Sequence, residues 1–137
     1  MHEDIALMPQ IIIQSKSLAF IKKPLYCYRS SSLSSMSTDF QKNKEKKIES
    51  QENQFILIHF LEKQHKISEF KCQYQKLISR CAYIAVFFNP SSIEKYYHFK
   101  SLWNIPLFPN FDVSIRKQIQ SRITISIILL RKYFKKH

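Results

Sequence analysis

Two adjacent carboxylates near the start of the chain, Glu3 and Asp4, are the residues whose types and spacing best suit proton transfer. They open an apolar run of Ile5, Leu7 and Met8 whose spacing predicts an amphipathic helix. A carboxylate in a first helical turn faces the positive end of the helix dipole and unpaired amides, which hold it in its charged form. Such a group can take a proton from a hydroxyl while that oxygen attacks an electrophile. An acidic pair at a helix start is also ordinary capping, so the chemistry rests on what accompanies it. Here it is followed by Pro24-Leu25-Tyr26-Cys27-Tyr28-Arg29 and then by a serine-rich loop, Ser30 to Ser37.

Pro9 is expected to bend the first helix before Ile11 to Ile13. Leu18 to Arg29 reads as extended: Pro24 argues against a helix, and Leu25, Tyr26 and Tyr28 suit a short strand or edge. Thr38, with Gln41 three residues later, is a predicted N-cap for a long helix to about Gln64. A second long helix, from about Ser68 to Phe88, carries Phe70, Tyr74, Leu77, Ile78, Cys81, Ile84, Ala85 and Phe88 at helical spacing, and Asn89-Pro90 stops it. Ser91 with Glu94 forms a predicted capping box for a helix over 92–103. Pro106 and Pro109 break the chain, and Asp112 can cap a last helix to about Tyr133. The expected fold is α+β and mainly α: a short helix and a small β element at the N-terminus, then about four helices. The expected division is 1–37 and 38–137.

At 137 residues and 45% hydrophobic content the chain can form one domain with its own core. It contains no glycine, which excludes the phosphate-cradling Walker and dinucleotide loops, because their backbones must approach the ligand without a Cβ. Cys27, Cys72 and Cys81 are odd in number and lack CxxC or Cys/His ligand spacing, so reduced buried thiols are expected rather than disulfides or a zinc site. No signal peptide is legible, and the expected location is cytoplasmic.

The net charge of +12 divides as +2 over residues 1–37, +1 over 38–66 and +9 over 67–137. Two apolar segments, Leu77 to Phe88 and Ile119 to Leu130, are too short to span a bilayer, and each contains an arginine. In the last helix Ile119, Ile123, Ile127 and Leu130 share one face with basic residues at both ends. That face is expected to pack on its own domain, although an interfacial helix is built the same way. The basic half admits an anionic membrane surface on the inner face of the cell membrane, or nucleic acid stacked on Tyr74, Tyr83, Tyr96, Tyr97 and Trp103. The lysines are scattered around their helices and no named nucleic-acid motif occurs, so nucleic acid is the less favoured partner.

Over residues 2–37 the combination His2-Glu3-Asp4, Pro9, Ile21, Pro24 to Arg29 and Ser34 to Ser37 resembles glycosyltransferase family 2, the inverting enzymes of GT-A type. The resemblance implies Asp4 as catalytic base and Glu3 as its acceptor-orienting partner. Tyr28, Arg29 and Ser34 would border the donor and acceptor site, with Arg29 near the donor diphosphate. The implied substrates are a nucleotide sugar and a glycan or lipid-linked acceptor, in surface polysaccharide assembly. Complete family members also have a nucleotide-binding half with an Asp-x-Asp motif that holds a divalent metal, Mn or Mg, on the diphosphate. This chain has only Asp4, Asp39 and Asp112, and Leu33 stands where relatives often carry glycine. The expectation is a truncated or split transferase, inactive alone, with no cofactor of its own and with apolar surface left exposed on the first helix.

Overall fold

The computed structural model describes residues 3–23, 40–95 and 97–135. Its elements in chain order are α1 (Glu3–Gln14), α2 (Phe40–Lys63), α3 (Lys71–Phe87), the 3-10 helices η1 (Pro90–Ser92) and η2 (Tyr97–Asn104), and α4 (Ile115–Lys135). The protein is mainly α, as its periodicity implies. Among the described residues there is no strand, so the expected small β element is not found. Residues 18–23, its described part, are irregular, and 24–29 lie outside the described residues. A strand needs a neighbouring edge for its backbone N–H and C=O groups, and no described segment supplies one.

Helix α1 runs through Pro9 without ending, since proline removes one ladder donor but leaves the flanking bonds in place. Beside that gap, Gln10 Nε2 donates to the Ala6 carbonyl at 2.7 Å. Helix α1 packs against α2, and α3 lies between α2 and α4. Phe55 and Ile58 of α2 meet Ile78, Cys81, Ala82 and Ala85 of α3, with Ile93, Phe99, Leu102, Ile105 and Ile125 completing one core. The small residues of α3 let its neighbours approach closely, and Phe55 sets its ring edge-on to Phe99 at 6.1 Å between centroids.

The α2–α3 seam is also polar. Gln51 and Gln54 are both 0% exposed. Gln51 Nε2 donates to the Cys81 carbonyl at 3.0 Å and to Ser92 Oγ at 3.1 Å, while its Oε1 accepts from Asn89 Nδ2 at 3.2 Å. Gln54 Nε2 donates to Ser50 Oγ at 3.0 Å and its Oε1 accepts from Cys81 Sγ at 3.5 Å. Burying an amide this deeply is tolerable only when its donors and acceptor are matched.

With no glycine available, the α2–α3 turn places His65 in the left-handed region, at φ 54°. The Lys66 amide donates to the Leu61 carbonyl at 2.9 Å and the His65 amide to the Glu62 carbonyl at 3.0 Å, closing the helix end in a Schellman arrangement.

The predicted helix over 92–103 is replaced by η1 and η2. Its capping box does not form: Ser91 Oγ donates to Asn89 Oδ1 at 2.9 Å, and Glu94 accepts from Lys132 at 2.9 Å. The pull of Ser92 into the Gln51 network holds this segment in tight turns rather than an α-helix. Asp112 pairs with Arg80 at 3.0 Å, and α4 begins three residues later at Ile115. Thr38, the predicted cap of α2, lies outside the described residues.

Helix α4 turns its polar side inward. Gln118, Ser121, Arg122 and Ile125 are buried, whereas Ile119, Ile123, Ile127 and Leu130 are exposed, reversing the expectation that this face packs on its own domain. The cause is the loop between Ile105 and Val113, whose carbonyls need donors. Gln118 Nε2 donates to the carbonyls of Phe108 (2.9 Å) and Val113 (2.7 Å), and Arg122 to those of Ile105 (2.7 Å) and Pro106 (3.0 Å).

Candidate functional site

The sequence-derived site begins on α1. Glu3 and Asp4 open this helix, so the backbone puts both in its first turn. Tyr28, Arg29 and Ser34, the other expected site residues, lie outside the described residues.

Beyond its acidic end α1 presents apolar surface on two sides. Leu7, Met8, Ile11 and Ile12 are exposed, and so are Leu18, Phe20 and Ile21 in the leg that follows, with Phe20 at 90%. Pro9, Ile12 and Ile13 form one wall of a cavity of about 450 Å³. Leu57, Leu61, Leu77 and Phe111 supply most of the rest, and Lys76 and Arg80 stand at its polar side. Asp4 precedes Pro9 by five residues, a rise of about 7.5 Å along the helix. The cavity can take an apolar or amphipathic group close to the helix that carries the carboxylates.

A second constellation was missed in the sequence. On α2, His59 Nδ1 lies 3.2 Å from Glu62 Oε2, and His98, brought in by η2, sets its Nδ1 3.1 Å from Glu62 Oε1. Tyr74 of α3 donates its hydroxyl hydrogen to the same Oε1 at 2.8 Å. The imidazoles tilt together with centroids 5.5 Å apart. One ligand atom from each of His59, Glu62 and His98 falls within a 4.8 Å group, a donor set of the type that binds zinc and other borderline cations. Burial lowers the pKa of His98 from its usual value; Glu62 opposes this shift and His59 adds to it. The His59-x-x-Glu62 spacing was visible as an i,i+3 pair, but nothing local announces that His98 joins it. As it stands, the cluster is a carboxylate shared between two imidazoles and a phenol, tying α2, α3 and η2 together.

Cys81 is buried, and burial pushes its thiol pKa far above the usual range, so it is a packing residue and not a nucleophile. Cys72 is exposed, so the expectation of buried thiols holds for only one of these two.

Comparison with known proteins gives no match to any family model, to any curated protein or to any solved structure.

Proposed function

We propose that the chain is the acceptor-side, carboxyl-terminal portion of an inverting glycosyltransferase of family 2 type, acting only when joined to a nucleotide-binding half. Asp4 takes the proton from the acceptor hydroxyl as that oxygen attacks the anomeric carbon of a nucleotide sugar, and Glu3 holds the acceptor or the base in line. Tyr28, Arg29 and Ser34 border the same site. The acceptor is a glycan or a lipid-linked saccharide of a surface polysaccharide, by the same resemblance.

The observation that carries this reading is α1 itself. Its first turn holds the Glu3-Asp4 pair, and the helix and following leg expose Leu7, Met8, Ile11, Ile12, Leu18, Phe20 and Ile21. Exposed apolar side chains in such number suit an interaction site, and in a complete enzyme they would lie against the nucleotide-binding sheet. A base without donor contacts has neither substrate positioning nor leaving-group stabilisation, so the chain alone has negligible turnover. No Asp-x-Asp is present to hold the divalent metal, so that chemistry belongs to the other half.

The test joins this chain to the nucleotide-binding half of an inverting enzyme of this type. Sugar transfer is then measured with and without Asp4→Asn. The expected result is transfer by the joined protein and a loss of about 10²–10⁴-fold on substitution, the usual contribution of a general base. Transfer that Asp4→Asn leaves intact, or clear turnover by the chain alone, removes this reading.

A further inference from the structure

The outward face of α4 is unusual for a soluble helix in being its apolar one. Ile119, Ile123, Ile127 and Leu130 recur at spacings of four, four and three and point away from the core, with Ile123 46% and Ile127 45% exposed. Phe134 continues the stripe. Trp103, the single tryptophan of the chain, lies at the edge of the stripe, exposed and held by a 2.8 Å hydrogen bond from its Nε1 to Ser126 Oγ.

The charges carried by α4 itself are all of one sign. The helix IRKQIQSRITISIILLRKYFK contains arginines and lysines and no aspartate or glutamate. Arg116 precedes the stripe and Arg131, Lys132 and Lys135 follow it, all exposed, and Lys132 also pairs with Glu94. A second copy of the chain laid on this face would bring basic residues against basic residues, which costs association. Nucleic acid would satisfy the cations but leave the isoleucines against water and phosphate. An anionic lipid surface satisfies both, because aliphatic side chains enter the acyl boundary, Arg and Lys meet headgroup phosphates, and an indole settles at the interface.

We infer that α4, with Trp103 beside it, docks the protein on a membrane rich in anionic lipid, lying in the interface and not crossing it. No described helix is long and apolar enough to cross a membrane. The inference does not depend on the transferase reading, since it uses neither α1 nor the carboxylates.

The experiment is flotation of the full chain with vesicles of phosphatidylcholine alone or containing about 30% phosphatidylserine, enough to give a strongly negative surface. Trp103 emission is followed in parallel. Binding is expected only with the anionic vesicles, with a blue shift of Trp103 and weakening by salt. Ile123→Asp with Ile127→Asp should reduce binding at least tenfold while far-UV circular dichroism shows the helices retained, since both side chains are about half exposed. Arg116→Gln with Arg131→Gln should reduce it without touching the apolar stripe. Three outcomes overturn the inference. They are no flotation with anionic vesicles, equal flotation of the isoleucine variant, or oligonucleotide binding stronger than vesicle binding and unaffected by that variant.

Discussion

Arg122 Nη1 donates to the Ile105 carbonyl oxygen at 2.7 Å, which fixes the start of the 105–113 loop to the inner face of α4. A second bond, from Nη2 to the Pro106 carbonyl at 3.0 Å, uses the planar fork of the guanidinium. Burial lowers the Arg122 pKa, yet an arginine so placed keeps its proton at any ordinary pH. Arg122→Met keeps the volume but strands two carbonyls. It should lower stability by about 1.5–3 kcal/mol, the range for hydrogen bonds to a charged group. Urea unfolding of the two proteins measures this, and a difference near zero would show that water takes over the carbonyls.

Gln51→Leu removes three partners at once, leaving the Cys81 carbonyl, Ser92 and Asn89 to rearrange in a space that holds no exposed atom of residue 51. The expected loss is about 1–3 kcal/mol for each buried group left unsatisfied, and η1 should loosen. Hydrogen exchange of the Ser92 and Ile93 amides reports the loosening, and unchanged protection there would refute it.

His65 adopts the left-handed conformation in which a Cβ crowds the following carbonyl. His65→Gly should therefore stabilise the protein by up to about 1 kcal/mol, offset in part by the extra freedom glycine gives the unfolded chain. Thermal denaturation would register this as a rise in melting temperature; a fall would mean that the imidazole makes a contact worth more than the strain.

Cys81 and Cys72 should separate cleanly in an alkylation experiment at pH 8. Cys72 is exposed and reacts, whereas Cys81 is buried with its thiol held protonated. Peptide mass spectrometry after iodoacetamide should find Cys81 labelled only when denaturant is present. Labelling of Cys81 at the rate of Cys72 in native buffer would contradict the packing described for α3.

Phe20→Ser with Ile21→Ser removes exposed aromatic and aliphatic surface from the leg after α1. Stability should move by no more than about 0.5 kcal/mol, as for surface sites generally. Self-association at high concentration should fall, as read by light scattering. A large loss of stability would instead place these side chains in a packed interface.

Much of this architecture was legible in advance. The second and third helices stand close to where they were expected, α2 from the capping signal of Thr38 and Gln41 and α3 because Ile78, Cys81 and Ala85 repeat at the helical period. The capping-box signal at Ser91 and Glu94 misled because both side chains found better partners in Asn89 and Lys132, contacts that local sequence cannot announce. The His59, Glu62 and His98 cluster stayed hidden because its third member arrives on a different element.

By itself the amino-acid sequence determined that the chain would be helical, that no glycine loop could cradle a phosphate, and that Glu3 and Asp4 would share a first helical turn. Only the tertiary structure decided which face of α4 turns inward. Periodicity reports that isoleucines share a face but not what that face meets. The carbonyls of Ile105, Pro106, Phe108 and Val113 needed donors, and Gln118 and Arg122 could supply them, so the polar side was buried and the apolar one left outside.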